Sequence, residues 1–180
     1  MTKYDWENEK VIGINKEKGH CLLIPQSSIK EKIKEKSEFY LSLNGKWKFY
    51  WSPNPFSRPI SFFEGDFDDS KWNEINVPGT FEFQGYGMPY YLASSYPPPL
   101  RKRNAPNIDK KNNPVGSYRK KFILPETWAQ RVIFIHFAGV KSAFYLWING
   151  QKVGYSQGSM TPAEFNITTV SYTHLTLPTN

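Results

Sequence analysis

Residues 143–156 read AFYLWINGQKVGYS, and this stretch decides the fold of the chain. Aromatic and aliphatic side chains fill its first half, and the dipeptide Asn149-Gly150 ends that half. Asn-Gly tolerates positive φ at both central positions of a type I′ turn, which joins neighbouring antiparallel strands. Residues 151–156 then return as the partner strand. The stretch therefore predicts a β-hairpin that turns at Asn149-Gly150.

Short strands at turn-spaced intervals precede this hairpin. Alternating or aromatic-rich segments predict them at residues 46–51, 75–78, 116–124 and 132–137. The 14 prolines and 12 glycines are scattered, and helical periodicity is scarce. The chain is therefore predicted to be all-β, an antiparallel β-sandwich of jelly-roll, galactose-binding-like type. In such a core we expect Trp47, Trp72 and Trp147 to pack in the interior or on a sheet face.

The length and the cysteine content bound the organisation of the chain. A chain of 180 residues suits one domain with an arm, so residues 1–40, which are polar and mixed in charge, are predicted to form an irregular N-terminal arm. The first residues carry neither a secretory signal nor a membrane span, which predicts a cytoplasmic protein with no membrane partner. Cys21 is alone, which permits no internal disulfide, and it is predicted to be a small buried residue.

The positive charge of the chain raises the question of a nucleic-acid partner. The formal net charge is +7, but residues 30–36 alternate in sign, as a solvated linker or short helix does. The basic residues at 101–103 and 110–111 lie in a loop rich in Pro and Asn without interleaved aromatic rings. Stacking platforms or a groove-reading helix are what nucleic-acid binding needs, so no nucleic-acid partner is predicted.

Histidine spacing gives no sign of a metal site. His20, His136 and His174 are far apart in the sequence, and neither a serine-centred elbow nor a phosphate-binding loop is present. His136 falls in an alternating apolar strand, which predicts a sheet histidine with its hydrogen bonds satisfied.

Taken in order, several segments resemble the sugar-binding domain that opens the family 2 β-galactosidases. They are residues 6–8, 11–16, 43–49, 77–78, 84–87, 113–119, 137–140, 142–150 and 153–165. The last two are the most specific, because they join an aromatic strand, an Asn-Gly turn and a Gly-Tyr-Ser-Gln tail. The resemblance implies an N-terminal fragment of an enzyme that hydrolyses terminal non-reducing β-D-galactose residues. This fragment would be a non-catalytic carbohydrate-binding domain supporting the catalytic barrel, at residues 41–168.

The resemblance also implies candidate substrate contacts. In the family, a loop of this domain reaches the active site of the following barrel and offers the galactosyl unit an asparagine, two positions after a tyrosine. That loop matches residues 90–97, where Tyr91 is the tyrosine. Ala93 stands at the asparagine position and offers no side-chain hydrogen bond, so Ser94 or Ser95 would have to substitute for it.

Catalysis itself is assigned to a later part of the family's chain. A retaining glycosidase uses two carboxyl groups about 5 Å apart, and in this family both glutamates and the magnesium ligands come from the barrel. The chain alone is therefore predicted to be inactive, with no catalytic residue, bound metal or cofactor of its own. Asn73-Glu74 resembles the Asn-Glu dipeptide of related barrels, but its position before Ile75 predicts an exposed strand-edge carboxylate. For the intact enzyme the resemblance implies magnesium, with sodium as a further ion, and a homo-oligomer.

The C-terminal residues 169–180 match no family pattern and are interpreted as a non-native tail on a truncated domain. A sandwich without its last strands would expose unpaired edges, which predicts low solubility. The alternative interpretation is a free-standing carbohydrate-binding module, which should close its sandwich within the chain.

Overall fold

A computed structural model describes residues 4–28, 37–89 and 108–171, and strands dominate them. The eight strands are β1 Gly13–Ile14, β2 Gly45–Ser52, β3 Asn73–Val77, β4 Val115–Arg119, β5 Phe134–Phe137, β6 Ala143–Ile148, β7 Gln151–Gln157 and β8 Ala163–Asn166. Helical structure is confined in these ranges to 3-10 turns at Asp5–Glu7, Glu82–Gln84 and Glu126–Trp128 and to one α-helical turn, α1, at Thr168–Ser171. All the strand pairs are antiparallel, so the predicted all-β class is confirmed. Within the described ranges, no helix has the length and apolar character needed to cross a membrane.

Two of the predicted strands are shorter than the sequence pattern indicates. β4 ends at Arg119 rather than at residue 124, because its pairing with β2 ends where Arg119 lies opposite Lys48. Ile123, beyond that end, is 90% exposed, whereas Phe122 and Leu124 are half-buried against the core of the second unit, so the alternation there buries one face without forming a strand. β5 begins at Phe134 rather than at residue 132. Hydrophobic alternation indicates extended chain, but only a paired neighbour makes it a strand.

The chain divides into two compact units. Residues 1–9 and 44–121 form the first, and residues 10–43 and 122–180 form the second. The predicted boundaries of the arm, the sandwich and the tail, at residues 40 and 168, remain a prediction.

The first unit is built on a three-stranded sheet in the order β3-β2-β4. Side chains alternate across a strand, so β2 presents different residues to each face. Phe49 is 1% exposed and contacts the rings of Phe81, Tyr86 and Tyr118. Tyr50, the next residue, contacts the ring of Trp72.

Trp72 closes the second face of that sheet. It is buried, and its ring lies 5.5 Å from the ring of Phe67 and 6.2 Å from that of Phe62, measured between centroids. Core packing is therefore confirmed for Trp72, and Trp47 and Trp147 are half-buried on their strands.

The second unit places two sheets around one core. One sheet has the order β1-β7-β6 and the other pairs β5 with β8. Both contribute to a single cluster of buried side chains, which is the packing of a β-sandwich. Its members are Ile133, Ile135, Ile148, Val153, Ala163, Phe165 and Ile167.

The predicted hairpin is confirmed. Asn149 has φ 50° and Gly150 has φ 80°, as a type I′ turn requires, and Ile148 lies opposite Gln151. The pairing of β6 with β7 has a bulge next to Leu146, where the register shifts by one residue. Beyond the bulge, Leu146 faces Gly154.

The N-terminal segment of the second unit supplies an unpredicted strand. β1 pairs with β7 through Gly13 opposite Ser156 and Ile14 opposite Tyr155. The prediction of a small buried residue at Cys21 is wrong, because this thiol is exposed. Cys21 lies beyond β1 in a stretch without regular structure, where no core surrounds it.

Candidate functional site

The residues predicted to contact substrate lie outside the described residues. Tyr91, Ala93, Ser94 and Ser95 all fall within residues 90–107, so their role stays a prediction. The described chain reaches this segment at Pro89 and resumes at Ile108. Both flanks belong to the first unit, and their geometry determines how the segment is attached.

The N-terminal flank is a clamped turn. The side-chain amide of Gln84 binds the backbone of Asn76 twice, because the Asn76 amide donates to Oε1 at 2.8 Å and Nε2 donates to the Asn76 carbonyl at 3.0 Å. Gly85 ends the 3-10 turn in the left-handed conformation, with φ 95°. A side-chain amide that replaces a neighbouring strand in this way fixes the turn to the edge of β3.

Aromatic rings anchor the same turn from beneath. Phe81 and Tyr86 pack on Phe49, with ring centroids 6.0 Å and 4.7 Å from its ring. Gly87 lies over the indole of Trp51, where an added Cβ would be 3.4 Å from Nε1. The turn that precedes residues 90–107 is therefore held in place by packing as well as by the Gln84 hydrogen bonds.

The C-terminal flank is an aspartate turn. Asp109 Oδ1 accepts hydrogen bonds from the backbone amides of Lys111 at 2.8 Å and Asn112 at 3.3 Å, and its Oδ2 accepts one from Asn112 Nδ2 at 2.9 Å. The side-chain bond from Asn112, followed by the two amides, lowers the pKa of Asp109. Lys110 Nζ forms an ion pair with Glu7 at 2.9 Å, which attaches this turn to the start of the chain.

Glu74 has the surroundings predicted for a strand-edge carboxylate. It lies on β3, the edge strand of its sheet, directly opposite Lys48. Its Oε2 is 3.1 Å from Lys46 Nζ, and its side chain is 49% exposed. A solvated ion pair of this kind contributes little to stability. The predicted position of Glu74, an exposed carboxylate on a strand edge, is confirmed.

Two of the histidines share one carboxylate. His136 lies opposite Glu164 in the β5–β8 pair, with Nδ1 3.0 Å from Oε2. His20 reaches the other oxygen, with Nε2 3.0 Å from Oε1. The predicted sheet histidine at His136 is confirmed, whereas His174 lies outside the described residues.

The electrostatics of His20 follow from its two partners. A hydrogen bond with the carbonyl of Cys21 at 2.7 Å, followed by the charge of Glu164, raises the pKa of His20. Across residues 4–28, 37–89 and 108–171, no cluster of three or more His, Cys, Asp or Glu side chains could hold a metal ion. The magnesium and sodium that the resemblance implies for the intact enzyme stay a prediction.

An open groove of about 460 Å³ lies in the second unit. Two of its polar side chains form hydrogen bonds within the chain: Asn15 Nδ2 donates to the carbonyl of Val153 at 2.9 Å, and Asn166 Oδ1 accepts from the amide of Thr168 at 3.0 Å. Lys152 Nζ lies 4.4 Å from the centroid of the Tyr145 ring. These contacts join the N-terminal segment, β7 and the end of β8, which is a structural role.

Comparison with known proteins extends over most of the chain. Residues 40–174 match the family model described as glycosyl hydrolases family 2, sugar binding domain. A protein of Priestia megaterium named beta-galactosidase is 40% identical over 169 residues, which is 91% of this chain and 16% of that protein. A beta-galactosidase of Halalkalibacterium halodurans is 41% identical over 160 residues, which is 88% of this chain and again 16% of the relative. The chain thus spans about a sixth of the length of these relatives.

Among solved structures, the architecture matches part of a larger enzyme. A calcium binding mutant of Bacteroides uniformis beta-glucuronidase 2 aligns with a TM-score of 0.50 and 25% identity. The alignment covers 72% of this chain and 13% of that one.

Proposed function

This chain belongs to the sugar binding domain family of the family 2 glycosyl hydrolases, and from that premise we propose that it is the N-terminal, non-catalytic part of a β-galactosidase. The intact enzyme would hydrolyse terminal non-reducing β-D-galactose residues by double displacement. Its two catalytic carboxyl groups would come from the part of the polypeptide that follows this chain.

One observation carries the choice of β-galactosidase. Identity of 40% extends over 91% of the chain to a relative with that name. The solved β-glucuronidase has a similar fold but only 25% identity over 72% of the chain. Sequence similarity therefore favours a galactoside over a glucuronide as the substrate.

The role proposed for this part is to support the barrel and to present residues 90–97 to its active site. The clamped turn of Gln84 and the aspartate turn of Asp109 flank the longer stretch, residues 90–107, that contains this segment. Tyr91, Ser94 or Ser95 would then contact the sugar, and Ala93 would leave the family's asparagine contact unmade. Positioning a segment from a rigid base is how loops contribute binding energy without a large ordering cost.

The remaining features of the intact enzyme are also part of the proposal. Magnesium and sodium would bind outside this chain, and the enzyme would be a cytoplasmic homo-oligomer. Two basic side chains have local partners, since Lys46 pairs with Glu74 and Lys110 with Glu7, which agrees with the proposal that no nucleic acid is bound.

A hybrid enzyme tests the proposal. This chain replaces the matching 169-residue stretch of the Priestia megaterium relative, and hydrolysis of chromogenic β-galactosides and β-glucuronides is measured. We expect turnover of the galactoside by the hybrid and none by this chain alone. A folded hybrid without galactosidase activity, or turnover by the chain alone, would contradict the proposal.

A further inference from the structure

We propose that Phe83 and Met88 form a docking contact for the catalytic portion of the same polypeptide. The inference rests on the proposed function, because it takes that portion as the partner. The two side chains lie on the clamped turn, five positions apart and just before residues 90–107.

Exposure and fixed geometry distinguish this pair. Phe83 is 86% exposed and Met88 is 68% exposed. The turn that carries Phe83 is nevertheless held on both sides, because Phe81 and Tyr86 pack on Phe49. An aromatic side chain on an already ordered backbone loses little conformational freedom when it is buried by a partner.

The hydrogen bonding of Gln84 makes the orientation specific. Both polar atoms of its side chain bind the backbone of Asn76, which fixes the turn with Phe83 directed to solvent. Single exposed apolar residues are common on protein surfaces and need no explanation. A phenylalanine that is 86% exposed, on a segment fixed by two side-chain hydrogen bonds and by two half-buried rings packed on Phe49, has the features of an interface anchor.

The length of the relatives identifies the occupant. This chain spans 16% of the Priestia megaterium β-galactosidase, so most of the polypeptide in that relative lies outside the matching stretch. Within one polypeptide, that portion is present at a high effective concentration, which favours it over a second copy. The contact would hold the turn at residues 81–88, which leads into residues 90–107, against the catalytic domain. Residues 90–97 are proposed to supply substrate contacts to that same domain.

The first experiment uses the hybrid enzyme described above and measures the half-life of galactosidase activity on heating. We expect Phe83→Ser to shorten the half-life by about tenfold, as loss of an aromatic anchor does. Phe83→Leu should recover most of the loss, because it restores apolar contact. Ile60→Ser is the matched control, since Ile60 is 74% exposed in the same unit, and it should leave the half-life unchanged.

The second experiment does not depend on activity. Hydrogen peroxide oxidises exposed methionine, and mass spectrometry gives the rate at Met88 in the folded hybrid relative to the hybrid unfolded in urea. The exposure of Met88 in this chain predicts nearly equal rates if nothing covers it. If the catalytic portion covers Met88, we expect its oxidation rate in the folded hybrid to be about tenfold lower than in the unfolded hybrid.

The outcomes separate the inference from the proposed function. An active hybrid in which Met88 is oxidised at the unfolded rate, and in which Phe83→Ser matches Ile60→Ser, would overturn the inference alone. An inactive hybrid with Met88 protected would support the contact and contradict the proposed function. Protection of Met88 in this chain by itself, rising with its concentration, would assign the surface to a second copy and overturn the inference.

Discussion

The imidazole of His20 binds the carboxylate of Glu164 across 144 positions of the chain, with Nε2 3.0 Å from Oε1. His136 occupies the second oxygen of the same carboxylate. Glu17 lies beside this contact, and its backbone amide donates to the carbonyl of Glu164 at 2.9 Å. Both the backbone and the side chain of Glu164 therefore fasten the N-terminal segment of the second unit to β8.

This cluster makes the attachment of the segment sensitive to pH. The pKa of His20 is raised, first by the Cys21 carbonyl and then by Glu164, so its contribution to stability is complete below the unfolded pKa of 6.5. That contribution is lost as the pH rises through the folded-state pKa. We expect Glu164→Gln to lower the pKa of His20 only in part, as followed by NMR titration of its ring protons. Glu17→Gln should lower it less, and a pKa unchanged by Glu164→Gln would contradict this account.

Gly154 is required where β7 lies close to both the backbone of β1 and the ring of Phe165. An added Cβ would lie 2.5 Å from the carbonyl oxygen of Ile14 and 2.6 Å from the ring of Phe165. Backbone cannot yield as a flexible side chain can, so Gly154→Ala should lower the free energy of unfolding by about 1–3 kcal/mol. Urea denaturation measures the change. Gly19→Ala, where an added Cβ meets nothing within 4 Å, is the control, and equal midpoints for the two variants would refute the prediction.

Arg119 joins the end of β4 to the loop that precedes β3. Its Nε lies 2.8 Å from Asp69 Oδ2, and Nη1 donates to the carbonyls of Phe62 and Glu64. The arginine and the aspartate are 14% and 19% exposed, so Arg119→Met should leave Asp69 poorly solvated and cost about 2–3 kcal/mol.

The exposed pair of Lys46 and Glu74 provides the comparison for Arg119. These side chains are 73% and 49% exposed, so Lys46→Met should change the free energy of unfolding by less than about 1 kcal/mol. Thermal or urea unfolding measures both variants. A larger loss for Lys46→Met than for Arg119→Met would reverse the order that burial predicts.

Ionisation of Tyr118 is expected to lower the stability of the first unit at alkaline pH. Burial, followed by the charge of Glu82, raises the pKa of Tyr118 to about 12. The unfolded tyrosine ionises near pH 10, so stability due to this group is complete below pH 10 and is lost between about pH 10 and 12. Tyr118→Phe should therefore lose less stability over that interval, as measured by urea unfolding at several pH values. Parallel losses in the two proteins would show that Tyr118 is not responsible.

The features predicted correctly from the sequence are those with a local cause. The turn at Asn149-Gly150 depends on two adjacent residues that tolerate positive φ, and this dipeptide can be recognised in the sequence whatever surrounds it. Strand β2 shows its alternation because Phe49 and Tyr50 face opposite sides of one sheet. The assignment of Glu74 to a strand edge followed from its neighbours in the sequence.

The features that were missed have causes far away in the chain. β1 has only two residues, and it is a strand because β7 offers it an edge. Cys21 was expected to be buried on its residue type alone, but it lies in a segment that no sheet covers. The contact of His20 with Glu164 left no signal, because the spacing between the two carries no periodic pattern.

The candidate substrate contacts came from resemblance and not from local pattern. Neither alternation nor turn chemistry distinguishes Tyr91, Ser94 or Ser95 from other residues of an irregular aromatic segment. What the structure adds is the pair of flanking turns. The turn at Gln84 could not be predicted, because the sequence gives no indication that this glutamine binds backbone eight positions away.

The pairing of the first strand with the seventh also sets an order of events on the ribosome. Asn15, just after β1, bonds to Val153, 138 positions later, so the N-terminal segment leaves the exit tunnel long before its partner is synthesised. At the usual rate of translation that wait lasts roughly 7–30 s. Throughout that interval residues 13–14 have no strand to pair with, so the three-stranded sheet can close only after β7 has been synthesised.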